Sequence, residues 1–166
     1  DKIHSQVAED PNIHRSIECI WDKGLWQQIT ELGWTAACVP EEAGGLGMPL
    51  VAAVAIAEEA GKAAFPSPLI STMIASFVLK ECHSDAATKA LGDVASGVPM
   101  TLAVTNKLGS WEPSDTDVAA AGTTLNGTAY FVQDAQKCDR FVVSATTPKG
   151  VALFLVGLGL TADDNG

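Results

Sequence analysis

Hydrophobic and polar positions follow two different periods along this chain, and the period changes near residue 97. Before that point apolar residues recur at steps of three and four, which is the period of helices with one buried face. Beyond it, short apolar runs are separated by Gly, Asn, Asp and Pro, as in strands joined by turns. The pattern predicts an α+β chain with an all-helical domain over residues 1–97 and an antiparallel, barrel-like β-domain over residues 98–166.

Capping residues and glycines mark the predicted helix ends. Gly33 is expected to end a helix over residues 15–32, because glycine readily adopts the left-handed cap conformation. A short helix is also expected over residues 1–11. Further helices are predicted where prolines favour a first turn and serines favour an N-cap, at Pro49, at Ser67 followed by Pro68, and at Ser84.

Residues 50–57 are apolar on every side, which predicts a helix enclosed by other helices. Glu58 and Glu59 follow directly. Acidic residues in a last helical turn oppose the helix dipole, so either the helix continues past them or basic side chains hold them. Neighbouring helical residues point in different directions and do not share a site, so we interpret the pair as structural.

A loop over residues 40–47, here called the glycine loop, contains Gly44, Gly45 and Gly47. Glycine-rich loops can cradle phosphate, but this one lacks the lysine of a P-loop and does not form a GxGxxG after a strand. The alternative is a tight turn whose glycines let two helices pack closely. We favour the turn.

Strands are predicted in the second half wherever apolar runs lie between turn residues. Asn126-Gly127 is the dipeptide of a type I′ turn, so it predicts a hairpin between the residues on either side. The last run is an apolar edge that ought to be covered, and we therefore expect the chain to stop in mid-domain. The predicted strands cover residues 100–105, 117–121, 124–125, 128–133, 139–145 and 151–158.

After the predicted turn, Tyr130, Phe131 and Val132 form an aromatic and β-branched run that ends in Gln133 and Asp134. A flat apolar ring followed by hydrogen-bonding groups could wall a planar heteroaromatic cofactor and bond its edge. An ordinary buried hairpin with a polar end has the same pattern. Both interpretations stay open on these residues alone.

Charge and cysteine usage narrow the class of protein. Twenty acidic and ten basic residues give a net charge of −10, which opposes binding to nucleic acid or anionic membranes. No apolar run approaches the roughly 20 residues of a spanning helix. The histidines and cysteines show no metal-ligand or disulfide spacing, so we expect no metal, reduced thiols and a cytoplasmic location, with the mitochondrial matrix as the alternative.

Several motifs together resemble the acyl-CoA dehydrogenase family, over nearly the whole chain from about residue 25. The motifs are Glu31-Leu32-Gly33-Trp34, the segment 39–47 around the glycine loop, Glu58-Glu59, Val104-Thr105 with Gly109-Ser110, and Leu125-Asn126-Gly127-Thr128 before the aromatic run. The resemblance implies FAD as the cofactor and oxidation of an acyl-CoA thioester to the 2-enoyl-CoA. It also implies electron transfer to an electron-transfer flavoprotein and a homo- or hetero-oligomer. On this resemblance the chain holds the helical domain and part of the β-domain, without the C-terminal helical bundle and without the usual position of the catalytic glutamate, so the catalytic residue is unknown.

The resemblance also implies which residues contact the flavin. Leu102, Val104 and Thr105 match a strand at the pyrimidine edge of the ring. Gly109 and Ser110 match a turn near the cofactor phosphates, and Ser110 is also placed at the substrate. Phe131, Val132 and Gln133 match the positions that lie against the ring and near N5.

Two positions depart from the family pattern. The turn at residues 105–111 is one residue shorter than usual and lacks its final acid, and Gln133 replaces the usual threonine. A glutamine is longer than threonine, although its amide can still donate a hydrogen bond. The departures keep an alternative open, in which the chain is a structural subunit that holds little FAD and completes a partner's active site.

Overall fold

The computed structural model describes residues 22–157, in which four helices precede five strands. The helices are α1 (Lys23–Glu31), α2 (Leu50–Lys62), α3 (Leu69–Lys80) and α4 (Asp85–Ala95), and the strands are β1 (Met100–Ala103), β2 (Val118–Ala121), β3 (Thr124–Gly127), β4 (Arg140–Thr147) and β5 (Gly150–Gly157). The predicted fold class, helices followed by a sheet, is confirmed. The helix expected over residues 1–11 lies outside the described residues. The proposed domain boundary at residue 97 stays a prediction, and helix gives way to strand between Ala95 and Met100.

Local capping signals locate the helix ends. Asp22 Oδ1 accepts hydrogen bonds from Gly24 N at 2.9 Å and Leu25 N at 3.0 Å, and Gly33 adopts a left-handed φ of 80° beyond the end of α1. Ser84 is the N-cap of α4, where its hydroxyl accepts from Ala87 N at 3.2 Å. These two expectations, Gly33 and Ser84, are confirmed.

Helices α2 and α3 each begin one residue later than predicted. Pro49 and Pro68 are themselves the N-cap residues of α2 and α3, so neither lies in the first turn. Ser67 precedes the cap, and its hydroxyl accepts from Leu69 N at 3.4 Å. The prolines fit here because the cap position, like the first turn, needs no N–H within the helix.

Strand β4 is the centre of the sheet. It pairs in parallel with β1 over Arg140–Val143, in parallel with β2 at Thr146, and antiparallel with β5 along its whole length. Strands β2 and β3 are antiparallel. The sheet is therefore mixed, whereas the strands were expected to be antiparallel throughout. Residues 104–139, which include β2 and β3, separate β1 from β4, and residues 122–139, which include β3, separate β2 from β4. Connections of this length permit parallel pairing where a short hairpin does not.

The hairpin predicted at Asn126-Gly127 is wrong, because these residues lie inside β3 opposite Ala119 and Val118. The turn lies four residues earlier, where Ala121 pairs with Thr124 across Gly122-Thr123 and Gly122 has a φ of 62°. Glycine at the first of two turn residues suits a type II′ hairpin. A Cβ on Gly127 would lie 2.2 Å from Asp117 O, so this glycine serves close strand approach.

The strand predicted over residues 128–133 is also wrong. This segment is irregular, with a left-handed φ of 53° at Phe131 and the same value at Asp134 directly after it. Left-handed residues interrupt the extended conformation that a strand requires. The other strands form close to their predicted positions.

Two apolar clusters hold the molecule together. The first joins α3 and α4 to the sheet through residues such as Leu79, Val94, Met100 and Val142. Thr72 of α3 also accepts a hydrogen bond from Met100 N at 3.2 Å. The second cluster lies among α1, α2 and the start of α3, and includes Trp26, Ile29, Cys38, Ala53, Leu69 and Met73. Helices and sheet thus meet directly along α3.

Helix α2 is less enclosed than its sequence predicts. Among its described residues only Ala53 and Ala60 are buried, whereas Leu50, Val51 and Val54 are 57–70% exposed. The helix continues past Glu58 and Glu59 to Lys62, which contacts both carboxylates at 3.0 and 2.8 Å. These hydrogen bonds, first to Glu59 and then to Glu58, raise the pKa of Lys62. The structural interpretation of the two acids agrees with this arrangement.

Candidate functional site

A cleft lies between α3 and the segments that follow β1 and β3. Its volume is about 70 Å³. It is lined by Ser71, Ile74, Thr101, Leu102, Thr105, Trp111, Phe131 and Gln133. We call it the α3–sheet cleft. It brings together four of the predicted cofactor residues, Leu102, Thr105, Phe131 and Gln133, although they lie up to 31 positions apart in the sequence. Val104, Val132, Gly109 and Ser110 are not among its lining residues.

Thr105 lies two residues beyond the end of β1 and is 7% exposed. Its carbonyl accepts from Tyr130 N at 2.9 Å, and this contact brings the aromatic segment beside the strand. Within residues 22–157 the Thr105 hydroxyl makes no hydrogen bond. Because this hydroxyl lies at the wall of the cleft and has no hydrogen-bond partner among those residues, it is available to a ligand.

The segment 130–134 forms the opposite wall. Phe131 is 74% exposed, and its ring lies 6.4 Å from that of Tyr130, centre to centre. The carbonyl of Gln133 accepts from the buried Thr101 hydroxyl at 2.8 Å. The Gln133 side chain is exposed and lines the cleft. The wall therefore combines an open aromatic face with an amide group.

Sequence reasoning missed four lining residues, which are Ser71, Ile74, Thr101 and Trp111. Trp111 is 67% exposed beside the cleft, and an isolated tryptophan in a polar turn was the signal that could have identified it. Thr101 could have been found from the alternation of β1. Ser71 gives no such signal, since it is one of many small residues in an apolar helix.

Ser110 and Gly109 lie in a loop over residues 106–117, here called the acidic loop. Asn106 Oδ1 accepts from Leu108 N and Ser110 N, each at 2.9 Å, and closes the turn. Gly109 has a φ of 80° and faces open space. The Ser110 hydroxyl donates to Asp115 Oδ2 at 2.7 Å. The hydroxyl proton is therefore already hydrogen-bonded to a carboxylate. The predicted role of Ser110 toward phosphate or substrate stays a prediction.

Another carboxylate of the acidic loop binds a backbone donor, because Asp117 Oδ2 accepts from Lys107 N at 2.8 Å. Negative groups thus occupy donors that a phosphate oxygen would use, and they repel an incoming anion.

The α3–sheet cleft suits one edge of a flavin ring, since it offers a hydroxyl, an amide and aromatic faces. It is smaller than complete ligand pockets of about 300–1,000 Å³, so it would hold an edge of the ring only. The acidic loop suits the cofactor's phosphates poorly.

The three glycines of the glycine loop offer no free amide to a phosphate. Backbone N–H groups of residues 43–48 all donate to carbonyls of the protein, at 2.8–3.0 Å. A Cβ on Gly45 would lie 2.0 Å from Val39 O. These observations agree with a tight turn and argue against the phosphate interpretation.

A larger cavity of about 540 Å³ lies between the glycine loop and the ends of α3 and α4. Charged residues of both signs line it, among them Glu41, Glu42 and Lys80. It contains none of the predicted site residues. Its mixed charge indicates no particular ligand.

The thiol of Cys138 is buried and has a raised pKa. Burial, and then the charges of Asp134 and Asp139, raise its pKa to about 12. Thiolates are the reactive form of cysteine, so Cys138 is protonated and unreactive near neutral pH.

A helical half packs on a small mixed sheet, with a cleft lined by aromatic and hydroxyl groups beside α3, and this arrangement agrees with the acyl-CoA dehydrogenase fold that the sequence motifs imply. The sequence matches the family "Acyl-CoA dehydrogenase, N-terminal domain" over residues 4–98, which is more than half of its 166 residues. The chain belongs to the acyl-CoA dehydrogenase family. The resemblance found from the sequence motifs is confirmed.

Curated relatives include mycobacterial acyl-CoA dehydrogenases. The chain is 35% identical to acyl-CoA dehydrogenase IpdE2 of Mycolicibacterium smegmatis over 108 residues, covering 63% of this chain and 34% of the relative. It is 29% identical to acyl-CoA dehydrogenase FadE27 of Mycobacterium tuberculosis over 150 residues, covering 86% and 39%. The chain thus spans well under half the length of either relative.

Solved structures with the same fold include two-component assemblies. The ChsE4-ChsE5 complex from Mycobacterium tuberculosis superposes with a TM-score of 0.72 at 28% identity, over 90% of this chain and 43% of the other. A variant of the Tcur3481-Tcur3483 steroid ACAD gives a TM-score of 0.73 at 28% identity, over 88% and 42%. Among the described residues, no helix is long and apolar enough to cross a membrane.

Proposed function

We propose that this chain serves a FAD-dependent acyl-CoA dehydrogenase, which oxidises an acyl-CoA thioester to the 2-enoyl-CoA and passes electrons to an electron-transfer flavoprotein. One observation carries the proposal: Thr105, Phe131 and Gln133 meet in the α3–sheet cleft, although no local element of the sequence unites them. Family membership and the acyl-CoA dehydrogenase relatives support the reaction class. Reduced thiols and the absence of a metal-ligand pattern in the sequence agree with a cytoplasmic flavoprotein.

FAD supplies the hydride acceptor when it is bound. The chain's own residues orient one edge of the ring and shield it from water. Phe131 offers an open face for stacking. The Thr105 hydroxyl and the Gln133 amide can donate to the ring edge, where donors stabilise negative charge that develops on reduction.

Replacement of Thr105 by Val tests this role. The substitution keeps the shape and removes the donor, so FAD binding should weaken by about 1 kcal/mol, roughly fivefold, measured by flavin fluorescence titration of the complete polypeptide. Thr124→Val is the matched control, because Thr124 is exposed on β3 away from the cleft. Equal FAD affinity in the two variants would show that Thr105 does not contact the ring.

A second function is favoured by the acidic loop. With Ser110 bound to Asp115 and Lys107 N bound to Asp117, the chain is poorly suited to hold the FAD phosphates by itself. It would then be a structural subunit that completes a partner's active site. The two-component structures at 28% identity support the presence of a partner chain.

The visible spectrum of the complete polypeptide, purified alone, separates the two functions. Stoichiometric flavin absorption in the visible range is expected of the dehydrogenase and eliminates the structural subunit. A colourless protein that supports activity only after a partner chain is added gives the opposite conclusion.

A further inference from the structure

The segment 130–134 has an unusual backbone conformation. Phe131 and Asp134 both have a left-handed φ of 53°, a region that a bulky residue such as Phe rarely occupies. Strained residues persist where surrounding contacts over-determine them, and they concentrate at ligand-binding segments. The question is which contacts fix this segment while Phe131 stays 74% exposed.

Three long-range hydrogen bonds fix the segment. Tyr130 N donates to Thr105 O at 2.9 Å and the Thr101 hydroxyl donates to Gln133 O at 2.8 Å, which attach the segment to β1 and the residues after it. The Ser71 hydroxyl donates to Asp134 Oδ2 at 2.6 Å and attaches it to α3. Only the Ser71 contact uses two side chains, so substitution can remove it without altering the backbone.

The Ser71–Asp134 contact has the features of a strong hydrogen bond. Ser71 is 3% exposed and the Asp134 side chain 15%, so water competes little. The acceptor is a carboxylate, which strengthens and shortens the bond. Ser71 lies in the first turn of the 12-residue α3, where the helix dipole favours a negative group. Lys137 Nζ holds the other carboxylate oxygen at 2.9 Å.

Ser71 also lines the α3–sheet cleft, and Asp134 directly follows Gln133. The bond therefore links the two walls of the cleft across 63 positions of sequence. We propose that Ser71 and Asp134 are positioning residues, which fix the cleft width and hold Phe131 and Gln133 in place for a planar heteroaromatic ring. The inference rests on the proposed function for the identity of that ring.

Ser71→Ala removes the donor, and Ser76→Ala is its matched control. Ser76 is also on α3 and 4% exposed, but its hydroxyl donates to Met73 O at 2.7 Å within the helix. Hydrogen exchange of the complete protein is measured on peptides covering residues 128–136 and on a reference peptide from α4. We expect Ser71→Ala to speed exchange in the first peptide about fivefold or more, with α4 unchanged, and Ser76→Ala to leave both unchanged.

Asp134 provides a rescue test. Asp134→Asn keeps an acceptor oxygen and tolerates the left-handed conformation but loses the charge, so its exchange should rise clearly less than that of Asp134→Ala. Asp134→Ala loses both and should behave like Ser71→Ala. Equal exchange in Ser71→Ala and Ser76→Ala, or equal effects of Asn and Ala at residue 134, overturns the positioning role.

FAD titration then separates the two proposals. If FAD binds the unaltered protein, Ser71→Ala should weaken it about fivefold and shift the flavin absorption maximum, while Ser76→Ala does neither. Unchanged FAD affinity and spectrum in Ser71→Ala contradict the inference alone. If the unaltered protein binds no FAD, the proposed flavin site is refuted, and hydrogen exchange by itself decides whether the two residues position the segment.

Discussion

Replacement of Gly45 by alanine should be far more destabilising than the same change at its neighbour Gly44. The added Cβ of Gly45→Ala would lie 2.0 Å from Val39 O and 2.4 Å from Val39 C. Both obstacles are backbone atoms, so no side-chain rotation relieves the overlap. The φ of Gly45 lies outside the left-handed region, and the cost is therefore one of space.

The surroundings of Val39 prevent an easy adjustment. Val39 is fully buried in the cluster that joins α3 and α4 to the sheet, and its carbonyl accepts from Gly47 N at 2.8 Å. Inserting atoms into a packed core costs about 1–3 kcal/mol, and loss of a hydrogen bond adds about 1 kcal/mol. We expect Gly45→Ala to cost about 3 kcal/mol or more. For a protein of this size that corresponds to a fall in melting temperature of roughly 6–12 °C.

Two other glycines serve as controls in the same urea and thermal unfolding experiments. Gly44 has a φ of 81° but open space around it, so Gly44→Ala should cost only conformational strain of about 1–2 kcal/mol. Gly61 lies inside α2 with open space, and Gly61→Ala should stabilise by about 0.5–1 kcal/mol. If Gly45→Ala costs no more than Gly44→Ala, the steric argument is refuted.

Three further predictions follow from single contacts. Gly127→Ala should cost about 3 kcal/mol or more in urea unfolding, because its Cβ would meet Asp117 O at 2.2 Å, and a loss equal to that of Gly122→Ala, which has open space, would contradict this. Ser84→Ala should cost about 1 kcal/mol in the same assay by removing the α4 cap, and an unchanged urea midpoint would show that the cap contributes nothing. The pKa of Cys138 is raised from 9.0 to about 12, so above pH 9 the unfolded thiol loses its proton while the folded one keeps it, and stability falls as pH rises. Cys138→Ala should show a shallower decline between pH 9 and 10.5, and identical slopes would exclude this thiol as a cause.

Sequence reasoning succeeded where the decisive interactions are local. The cap at Ser84 depends on an N–H three residues away, and the end of α1 depends on the conformation that Gly33 alone can adopt easily. Strands β4 and β5 contain apolar runs between turn residues and were predicted almost to their ends. Family membership was likewise readable, because it rests on motifs in a fixed order along the chain.

The failures share a cause, which is competition from distant partners. Asn126-Gly127 has the strongest local turn signal in the chain, yet pairing with Val118 and Ala119 draws it into β3 and moves the turn to Gly122. The segment 128–133 has β-forming residues, but its contacts with Thr101 and Thr105 bend it away from a strand.

The amino-acid sequence by itself determined the order of helices and strands, the α+β class, the family and the residue types available to a flavin. Tertiary structure decided that Thr105, Phe131 and Gln133 share one cleft, that Ser71 and Asp134 join its walls, and that the Ser110 hydroxyl is bound to Asp115. The physical reason is the distance along the sequence over which each kind of interaction acts. Caps, turns and periodicity depend on neighbours within a few residues, whereas a cleft depends on which distant surfaces the packing of α3 against the sheet brings together.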